Sequence, residues 1–268
     1  MSGIHTPLKF AVLMDSNYLN EWQYKTIKEL EDKGVAQLDL IIICKEINNN
    51  SSLEKENFSK NFIYRLWGKI FPPLLQANLD FREVFRNVNT LNLQVLRRGK
   101  YRHYFSEEDI KKVKVKNLDF ILRFGLNIIE GDILNSSKFG IWSFHHGDER
   151  KYRGRPANFW EIYDNQDTVG GILQVLNEKL DSGIILERWS IKNKKTSVRK
   201  SYKELCLSGI VFPRKVCQKI IEGSIDIANL KPSKTQAKIK YLPNNFQMIN
   251  FILKISINKV ISYIERFY

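Results

Sequence analysis

The sequence predicts an open α/β fold with a mostly parallel, doubly wound sheet and a helical C-terminal extension. Short, nearly continuous apolar runs recur along the first 192 residues, which is the pattern of strands covered on both faces. Helix-start signals and helical periodicity separate these runs, so strands and helices alternate. Polar residues follow several runs directly, at the strand ends where open α/β sheets bind ligands.

A strand–helix–strand unit opens the chain. Residues 10–14 are predicted to form a buried strand, and the polar residues 15–17 supply the start of a helix. A helical apolar stripe follows and ends at Gly34, a residue type that commonly terminates helices. Residues 38–44 form the next strand, so that strand, helix and strand fit within about 35 residues.

The middle of the chain continues this alternation after an insertion. Residues 58–85 are aromatic and basic, contain Pro72 and Pro73, and are predicted to form one or two helices inserted at the edge of the sheet. Ser106 and the acidic residues after it make a capping box for a helix through about residue 115. The other predicted elements are strands at 91–96, 118–125, 140–144, 168–176 and 184–191, a short helix at 132–138, a helix from Pro156 to about 164, and a loop at 177–183.

Residues 193–268 form the extension that follows the predicted α/β domain of residues 1–192. Residues 196–222 are predicted to be helical, with Pro213 at a start or a kink. Residues 246–264 have the pattern of an amphipathic, basic helix. Its apolar face consists of Phe246, Ile249, Leu253, Val260 and Ile264. Packing against the domain, formation of a homodimer and peripheral membrane contact are the three open interpretations of this face.

Composition limits the classes of protein. A hydrophobic fraction of 43% and a charged fraction of 27% are those of a soluble globular protein. Three cysteines without metal-binding spacing predict no metal site, and so few cysteines fit the reducing cytoplasm. The sequence shows neither the pattern of a secretory signal nor a run of roughly 18 apolar residues, so we expect a cytoplasmic protein.

A net charge of +14 indicates an anionic partner or a strongly solvated surface. Phosphorylated small molecules, anionic membranes and nucleic acids are the candidate partners. The sequence contains no helix-turn-helix, zinc-finger or aromatic–basic RNA-binding signature. The charge therefore favours a phosphate-containing small molecule, and no nucleic-acid partner is expected.

Ser143, Phe144 and His145 close an apolar run and form the clearest candidate site. An imidazole can donate or accept a proton near neutral pH, and Asp181, 36 residues later, is a candidate to orient it. Ser143 projects from an extended strand to the same side as His145. A hydroxyl, an imidazole and a carboxylate together suit acyl transfer to an amine. A structural histidine and an ordinary turn at 180–183 remain the open alternatives.

Three motifs lie in this part of the chain. They are Ser143-Phe144-His145, Tyr152-Arg153-Gly154 and Leu180-Asp181-Ser182-Gly183. Their order and spacing resemble the folate-dependent formyltransferase family, which includes glycinamide ribonucleotide and methionyl-tRNA formyltransferases and the sugar-nucleotide N-formyltransferases. The resemblance covers roughly residues 8–192 and is strongest over 118–187.

The resemblance implies catalytic roles for His145 and Asp181, with 10-formyltetrahydrofolate as the formyl donor. It also implies that the pterin of this donor lies beside backbone groups of two segments. These segments contain Arg123, Phe124, Gly125 and Leu126, and Val175, Leu176 and Leu180. The family has an asparagine two residues before the catalytic histidine, and its amide hydrogen-bonds the formyl oxygen. Ser143 stands at that position here, and its hydroxyl is expected to support the oxyanion over a shorter reach.

The acceptor is expected to be the amine of a nucleotide-linked amino sugar used for a surface polysaccharide. Methionyl-tRNA enzymes of the family carry a C-terminal barrel, whereas residues 193–268 look helical. The residues expected to contact the acceptor are Asp15, Ser16, His146, Asp148 and Arg153, with packing roles as the alternative. Transfer from another one-carbon donor, such as carbamoyl transfer, hydrolysis of a formyl-folate, and a non-catalytic binding protein remain the alternative functions.

Overall fold

A nine-stranded sheet forms the centre of this computed structural model, which describes residues 6–47, 58–99, 101–178, 180 and 182–267. The strands are β1 (Leu8–Met14), β2 (Tyr18–Asn20), β3 (Ala36–Ile47), β4 (Ala77–Asp80), β5 (Asn89–Arg98), β6 (Arg102–Phe105), β7 (Phe120–Phe124), β8 (Ile128–Ile129), β9 (Ile141–His145), β10 (Arg153–Gly154), β11 (Thr168–Val175), β12 (Ile184–Lys192) and β13 (Ile239–Lys240). The α-helices are α1 (Glu21–Asp32), α2 (Phe62–Ile70), α3 (Phe81–Val84), α4 (Glu107–Lys114), α5 (Phe159–Tyr163), α6 (Val198–Gly209), α7 (Phe212–Ile221) and α8 (Asn245–Ile264). Short 3-10 helices cover Phe58–Asn61, Asp132–Asn135 and Ile227–Asn229.

The central sheet has the strand order β12-β11-β9-β7-β1-β3-β5-β6-β8. Its middle strands, β9, β7, β1, β3 and β5, are parallel. β11 pairs antiparallel with both β9 and β12, and β6 pairs antiparallel with β5. This arrangement confirms the predicted open, mostly parallel α/β sheet, and helices α6, α7 and α8 confirm a helical C-terminal region.

Apolar side chains cover both faces of the middle strands. On one face, the ring centroids of Phe10 and Phe120 lie 5.1 Å apart, and those of Phe120 and Trp142 lie 4.0 Å apart. On the other face, Leu13 and Ile121 belong to a second buried cluster. This burial on two sides explains why β1 and β7 have nearly continuous apolar sequences.

Helix α1 begins later than the sequence pattern predicted. Residues 15–17 do not start it, because the following residues first form β2, which pairs with β4. Asn20 is the N-cap, and it exchanges two hydrogen bonds with Gln23: each side-chain oxygen accepts the backbone N–H of the other residue. Gly34 follows the end of the helix with a φ of +64°, as the sequence predicted for a helix terminator.

Two other predicted helices also differ from the structure. Helix α5 begins at Phe159 rather than at Pro156, and Asn158 before it has a left-handed φ of +59°. The predicted short helix at 132–138 is a single 3-10 turn that ends at Asn135.

The predicted insertion at 58–85 contains α2, β4 and α3. β4 pairs with β2 in a separate two-stranded sheet, and the place of the insertion at the edge of the central sheet stays a prediction. Helix α2 packs against α8, where the ring centroids of Trp67 and Phe251 are 6.0 Å apart.

The C-terminal extension returns to the carboxyl ends of the central strands. The backbone N–H of Ser233 donates to the carbonyl oxygen of Gly183 at 2.9 Å, and β13 pairs in parallel with β10. Glu149, a fully buried residue, anchors the returning segment, because it accepts hydrogen bonds from Arg188 at 2.5 Å and from the Ser233 hydroxyl at 3.2 Å. The extension therefore contributes to the same region of the molecule as the motifs at 143–154.

Helix α8 packs through a different face from the one that the sequence pattern indicated. Met248, Phe251 and Ile255 are buried, and Phe251 stacks on Phe159 with their centroids 4.2 Å apart. The apolar face named from the sequence is exposed: Phe246, Ile249, Leu253, Val260 and Ile264 all face solvent. The interpretation that this face packs against the domain is therefore wrong. None of the helices in the described part of the chain combines the length and the hydropathy that spanning a membrane requires.

Candidate active site

A cavity of about 750 Å³ opens at the carboxyl ends of β7 and β9. The turn between β5 and β6, the residues after β11, and β13 with the residue that follows it form its other walls. The described lining residues include Arg98, Tyr101, Arg102, Arg123, Leu126, His145, Arg153, Arg155, Gln174, Leu176, Glu178, Leu180, Ile239, Lys240 and Tyr241. The cavity thus lies where open α/β sheets bind ligands.

His145, the last residue of β9, lines this cavity. Its Nε2 lies 3.1 Å from the carbonyl oxygen of Tyr152, a contact that requires the hydrogen to be on Nε2. In the neutral ring, Nδ1 is then the nitrogen that can accept a proton. Gly147 permits this geometry, because a Cβ there would lie 2.7 Å from Nε2. Asp181 lies outside the described residues, so its role in orienting His145 stays a prediction.

Ser143 lies on the same face of the sheet as His145 but behind the cavity wall. Its side chain is 1% exposed, and Ser143 is not among the described lining residues. Its hydroxyl donates to the carbonyl oxygen of Phe144 at 3.2 Å and accepts from Arg123 Nε at 3.1 Å. The structure therefore places the Arg123 guanidinium, rather than the Ser143 hydroxyl, at the cavity surface.

The predicted pterin segments are partly brought together. Arg123, Leu126, Leu176 and Leu180 line the cavity. Phe124, Gly125 and Val175 do not line it, and Phe124 is buried among the aromatic residues on the other face of the sheet.

Asp15 shapes the segment after β7 instead of facing the cavity. Its carboxylate accepts the backbone N–H of Leu126 at 2.8 Å. Gly125 has a φ of +115°, and a Cβ there would lie 2.2 Å from Asp15 Oδ1. Gly125 therefore allows the two segments to approach. Ser16 accepts the backbone N–H of Tyr18 at 3.0 Å and is not among the described lining residues.

His146 points to the opposite side of the sheet from His145. It lies against Trp22 and Tyr202, with ring centroids 5.4 and 5.1 Å away, and its Nε2 is 3.3 Å from Cys206 Sγ. Burial, with a smaller effect from His145, lowers the pKa of His146 to about 3. The structure thus gives His146 a packing position, away from the cavity.

Asp148 also lies away from the described cavity lining. It accepts two side-chain hydrogen bonds from Arg150, at 2.8 and 2.9 Å. Burial alone would raise the pKa of Asp148, but these bonds hold that pKa below its ordinary value. Arg153, by contrast, lines the cavity and donates to the carbonyl oxygens of Leu180 and Ala237, which ties three parts of the wall together.

Positive side chains dominate the cavity wall. Those among the described lining residues are Arg98, Arg102, Arg123, Arg153, Arg155 and Lys240, against one carboxylate, Glu178. Arg155 donates to the Tyr101 hydroxyl at 2.8 Å and stacks over its ring. Such a wall suits an anionic ligand with carboxylates or phosphates.

Several lining residues were not predicted as site residues. Arg98 and Arg102 belong to a basic cluster that is visible in the sequence, but nothing in the sequence indicates that the β5–β6 turn reaches the cavity. Lys240 and Tyr241 come from the extension, more than 80 residues after Arg155. Only the pairing of β13 with β10 places them at the site.

The described residues contain no group of three or more histidine, cysteine, aspartate or glutamate side chains placed to hold a metal ion. The three cysteines are free and buried. Burial raises the pKa of Cys44 and of Cys206 to about 12, so both thiols stay protonated at neutral pH.

No family model matches the sequence. Among curated proteins, the bifunctional polymyxin resistance protein ArnA of Wigglesworthia glossinidia brevipalpis is 32% identical over 100 residues, which are 37% of this chain and 15% of that protein. The methionyl-tRNA formyltransferase of Prochlorococcus marinus is 26% identical over 137 residues, which are 48% of this chain and 40% of that protein. The chain therefore spans less than half the length of either relative.

Solved structures of formyltransferases superpose over most of the chain. Glycinamide ribonucleotide transformylase 1 from Symbiobacterium toebii has a TM-score of 0.57 and 11% identity, with 85% of this chain and 95% of that one covered. An N-formyltransferase from Helicobacter canadensis, in complex with folinic acid and dTDP-3-aminofucose, has a TM-score of 0.53 and 13% identity, with 93% and 80% covered. The sugar 3N-formyltransferase WlaRD, solved with dTDP and 5-N-formyl-THF, has a TM-score of 0.53 and 16% identity, with 92% and 79% covered.

The fold is that of the formyltransferases, which confirms the resemblance drawn from the three motifs. The structure also places His145, from the first motif, in a cavity whose wall contains Arg153 from the second and Leu180 from the third. These identities are low, so the likeness establishes the fold and leaves the reaction to be inferred from the site.

Proposed function

We propose that the protein is an N-formyltransferase that moves a formyl group from 10-formyltetrahydrofolate to the amine of an amino sugar. The observation that carries this proposal is the position of His145 at the carboxyl end of β9, inside a cavity walled by the segments for which the resemblance implies pterin binding. Leu126, Leu176 and Leu180 supply apolar wall beside the imidazole. An apolar slot with one proton-handling group suits a heterocycle whose formyl group must react.

The cavity also suits the anionic parts of both substrates. The glutamate tail of a folate carries carboxylates, and a nucleotide-linked sugar carries a diphosphate. Arg98, Arg102 and Arg155 line one side of the cavity and Lys240 lines another. Guanidinium groups bind carboxylates and phosphates through paired N–H donors. These cations therefore support a folate donor and a phosphate-containing acceptor, while leaving the identity of the sugar open.

The acceptor that we propose is a nucleotide-linked amino sugar for a surface polysaccharide. Two proteins of the same fold support an amino sugar as the acceptor. WlaRD is a sugar formyltransferase, and the Helicobacter canadensis protein was solved with dTDP-3-aminofucose. The helical character of residues 193–268 favours this acceptor over tRNA, since the resemblance links tRNA binding to a C-terminal barrel.

In the reaction, His145 holds or moves the proton of the attacking amine through Nδ1, while Nε2 stays hydrogen-bonded to Tyr152. The donor supplies an activated formyl carbon when it is bound. Asp181 stabilises the protonated imidazole through its negative charge in this proposal, since both ring nitrogens are already engaged. A cytoplasmic location is part of the proposal, and homodimer formation stays a prediction.

The test uses the purified full chain with 10-formyltetrahydrofolate and a panel of dTDP-, UDP- and GDP-linked amino sugars that includes dTDP-3-aminofucose. We expect tetrahydrofolate release that depends on one of the amino sugars, and a product heavier by one formyl group in mass spectrometry. Release at the same rate without an amine would instead indicate hydrolysis. Absence of calorimetric binding of folinic acid would favour the non-catalytic alternative.

A further inference from the structure

The outer face of α8 is an apolar surface that the sequence pattern singled out and the proposed function does not use. Its exposed side chains are Phe246, Ile249, Leu253, Ile257, Val260, Ile261 and Ile264. Phe246 is 70% exposed, Leu253 56% and Val260 58%. The helix has 20 residues, so this face runs for about 30 Å. An apolar surface of this length marks an interaction site.

The inner face of α8 holds the helix firmly on the domain. Phe251 stacks on Phe159, Lys254 Nζ donates to the carbonyl oxygen of Tyr163 at 2.5 Å, and Asn258 donates to that of Lys195 at 3.2 Å. The outer face is therefore exposed although the helix is packed on the domain through its inner face.

A second, positively charged cavity of about 390 Å³ lies behind the C-terminal half of α8, on its packed side, because the buried Ile255 is among the residues that line it. Its cationic lining residues are Arg199, Lys200, Lys259 and Arg266, and the described lining contains no carboxylate. Trp67, Phe71 and Tyr263 supply aromatic wall. Lys259 and Arg266 lie on the side of the helix away from its outer face, so they add positive potential behind the helix rather than contacting what that face binds.

We propose that α8 lies on an anionic membrane surface, with its outer face in the interface and the cations behind the helix within electrostatic range of the lipid headgroups. Charge decides between this partner and a second copy of the chain. A second copy would bring the same cations and the same net charge of +14 to the contact, whereas anionic lipid complements them. Helix α2, which packs against α8, adds a further exposed apolar stripe formed by Phe62, Leu66 and Ile70.

The test is co-sedimentation of the full chain with vesicles of phosphatidylcholine, alone or mixed with phosphatidylglycerol. We expect binding to the mixed vesicles only, and its loss in Leu253→Glu/Ile257→Glu. Neutralising two of the cations behind the helix in Lys259→Gln/Arg266→Gln should weaken binding by at most about 30-fold, since a cation near the membrane surface contributes about fivefold. The control Lys111→Gln/Lys114→Gln, on exposed positions of α4, removes the same charge elsewhere and should bind like wild type.

Three outcomes would overturn the membrane proposal. Equal binding of the wild type and of Leu253→Glu/Ile257→Glu would show that the apolar face is not used. Equal weakening by the cavity pair and by the α4 pair would show that only net charge matters. A concentration-dependent dimer in analytical ultracentrifugation that the Leu253→Glu/Ile257→Glu change dissociates, without vesicle binding, would assign the face to a second copy.

Arg123 and Ser143 carry an independent inference about catalysis, which rests on the proposed function. They are register partners in the parallel pair β7–β9, so their side chains share the face on which His145 lies. Arg123 Nη1 donates to the carbonyl oxygens of Leu126 at 3.1 Å and Asn127 at 2.6 Å, and Nε donates to Ser143. These hydrogen bonds hold the guanidinium in the wall of the same cavity that His145 lines.

We infer that Arg123 is the catalytic group that stabilises the oxyanion. The amine nitrogen forms a bond to the formyl carbon, and the carbonyl electrons move to oxygen. The carbonyl then re-forms as the bond between that carbon and the folate nitrogen breaks, and the amine proton passes through His145 to the departing nitrogen. The Ser143 hydroxyl already donates to Phe144, whereas a fixed positive charge at Arg123 meets the developing negative charge without reorganisation.

The test compares steady-state kinetics of Arg123→Gln, Arg123→Lys and Ser143→Ala with the acceptor found in the sugar panel. We expect Arg123→Gln to lower kcat by about 100- to 1,000-fold with little change in the KM for 10-formyltetrahydrofolate. Arg123→Lys keeps the charge and should retain more activity than Arg123→Gln, and Ser143→Ala should retain most of it.

A KM increase with unchanged kcat in Arg123→Gln would overturn the inference and assign Arg123 to positioning of the segment at Leu126. The Ser143→Asn background gives a further check, because a second donor should reduce the kcat loss caused by Arg123→Gln. An equal loss in the two backgrounds would contradict the assignment. A wild-type chain with no turnover on any amine would reject the proposed function itself, and the role of Arg123 with it.

Discussion

Replacing His145 with glutamine is expected to lower kcat for formyl transfer by about 100- to 10,000-fold. The amine must lose a proton as it attacks, and the His145 imidazole is placed at the cavity surface to take it. Glutamine keeps a polar side chain of similar length but cannot accept a proton near neutral pH. The measurement is steady-state kcat at saturating 10-formyltetrahydrofolate and acceptor, with thermal unfolding recorded in parallel.

His146→Gln is the matched control for this experiment. It makes the same change one residue further on, where the side chain lies against Trp22 and Tyr202 on the other face of the sheet. We expect kcat close to that of the wild type and a lower unfolding temperature, because a polar amide replaces a ring in an apolar site. Equal kcat losses in the two variants, or wild-type kcat in His145→Gln, would remove His145 from the mechanism.

These adjacent histidines show what the sequence could and could not predict about the site. Alternation along a strand places Ser143 and His145 on one face and Phe144 and His146 on the other, so their separation follows from the period of two. Which face carries the cavity does not follow from that pattern. It depends on where Arg123, Leu180 and Lys240 arrive, and each comes from a different part of the chain.

The fold was predicted better than the ends of its elements. Continuous apolar runs locate β1, β3, β7 and β9, because burial on both faces leaves little freedom of sequence. The predicted start of α1 was wrong because residues 18–20 pair with β4. This contact joins residues that are distant in sequence, so a local pattern does not reveal it. Tertiary pairing, rather than local preference, decided that boundary.

The packed face of α8 was also predicted wrongly, but for a different reason. The sequence supplies apolar residues around most of this helix, so periodicity alone could not choose the face that packs. Phe251 and Ile255 form the packed face of the helix because α5 and α2 supply aromatic partners for them. The residues left outside have no partner within the described domain surface, and for that reason they point to an external one.

Replacing Arg188 with alanine is expected to destabilise the protein by about 1–3 kcal/mol, because the Arg188 side chain is 44% exposed and water can partly replace it. Glu149, its partner, is 0% exposed, and it accepts hydrogen bonds from Arg188 and from the Ser233 hydroxyl. Removing the guanidinium takes away the positive charge and the N–H donors that face the buried Glu149 carboxylate. A buried charge without its counter-ion lowers the stability of the folded state. The measurement is the free energy of unfolding from urea titration.

Two matched variants locate the cause of this loss. Asp167→Asn breaks the ion pair with Lys195, in which the Asp167 side chain is 93% exposed, so it should leave the free energy of unfolding almost unchanged. The double change Glu149→Leu/Arg188→Leu removes both charges and should cost less than Arg188→Ala alone. A double variant that is as unstable as Arg188→Ala would assign the loss to packing rather than to the unpaired carboxylate.

The same substitution links stability to the site. Glu149 also holds the returning segment through its backbone, since the Thr235 hydroxyl donates to its carbonyl oxygen at 2.6 Å. Four residues further on, β13 begins and brings Ile239 and Lys240 into the cavity wall beside Arg153. We therefore expect Arg188→Ala to raise the hydrogen-exchange rates of residues 233–241 more than those of β1 or β7. Uniform acceleration across the sheet would contradict this, because it would mean that Glu149 stabilises the whole domain rather than the wall of its cavity.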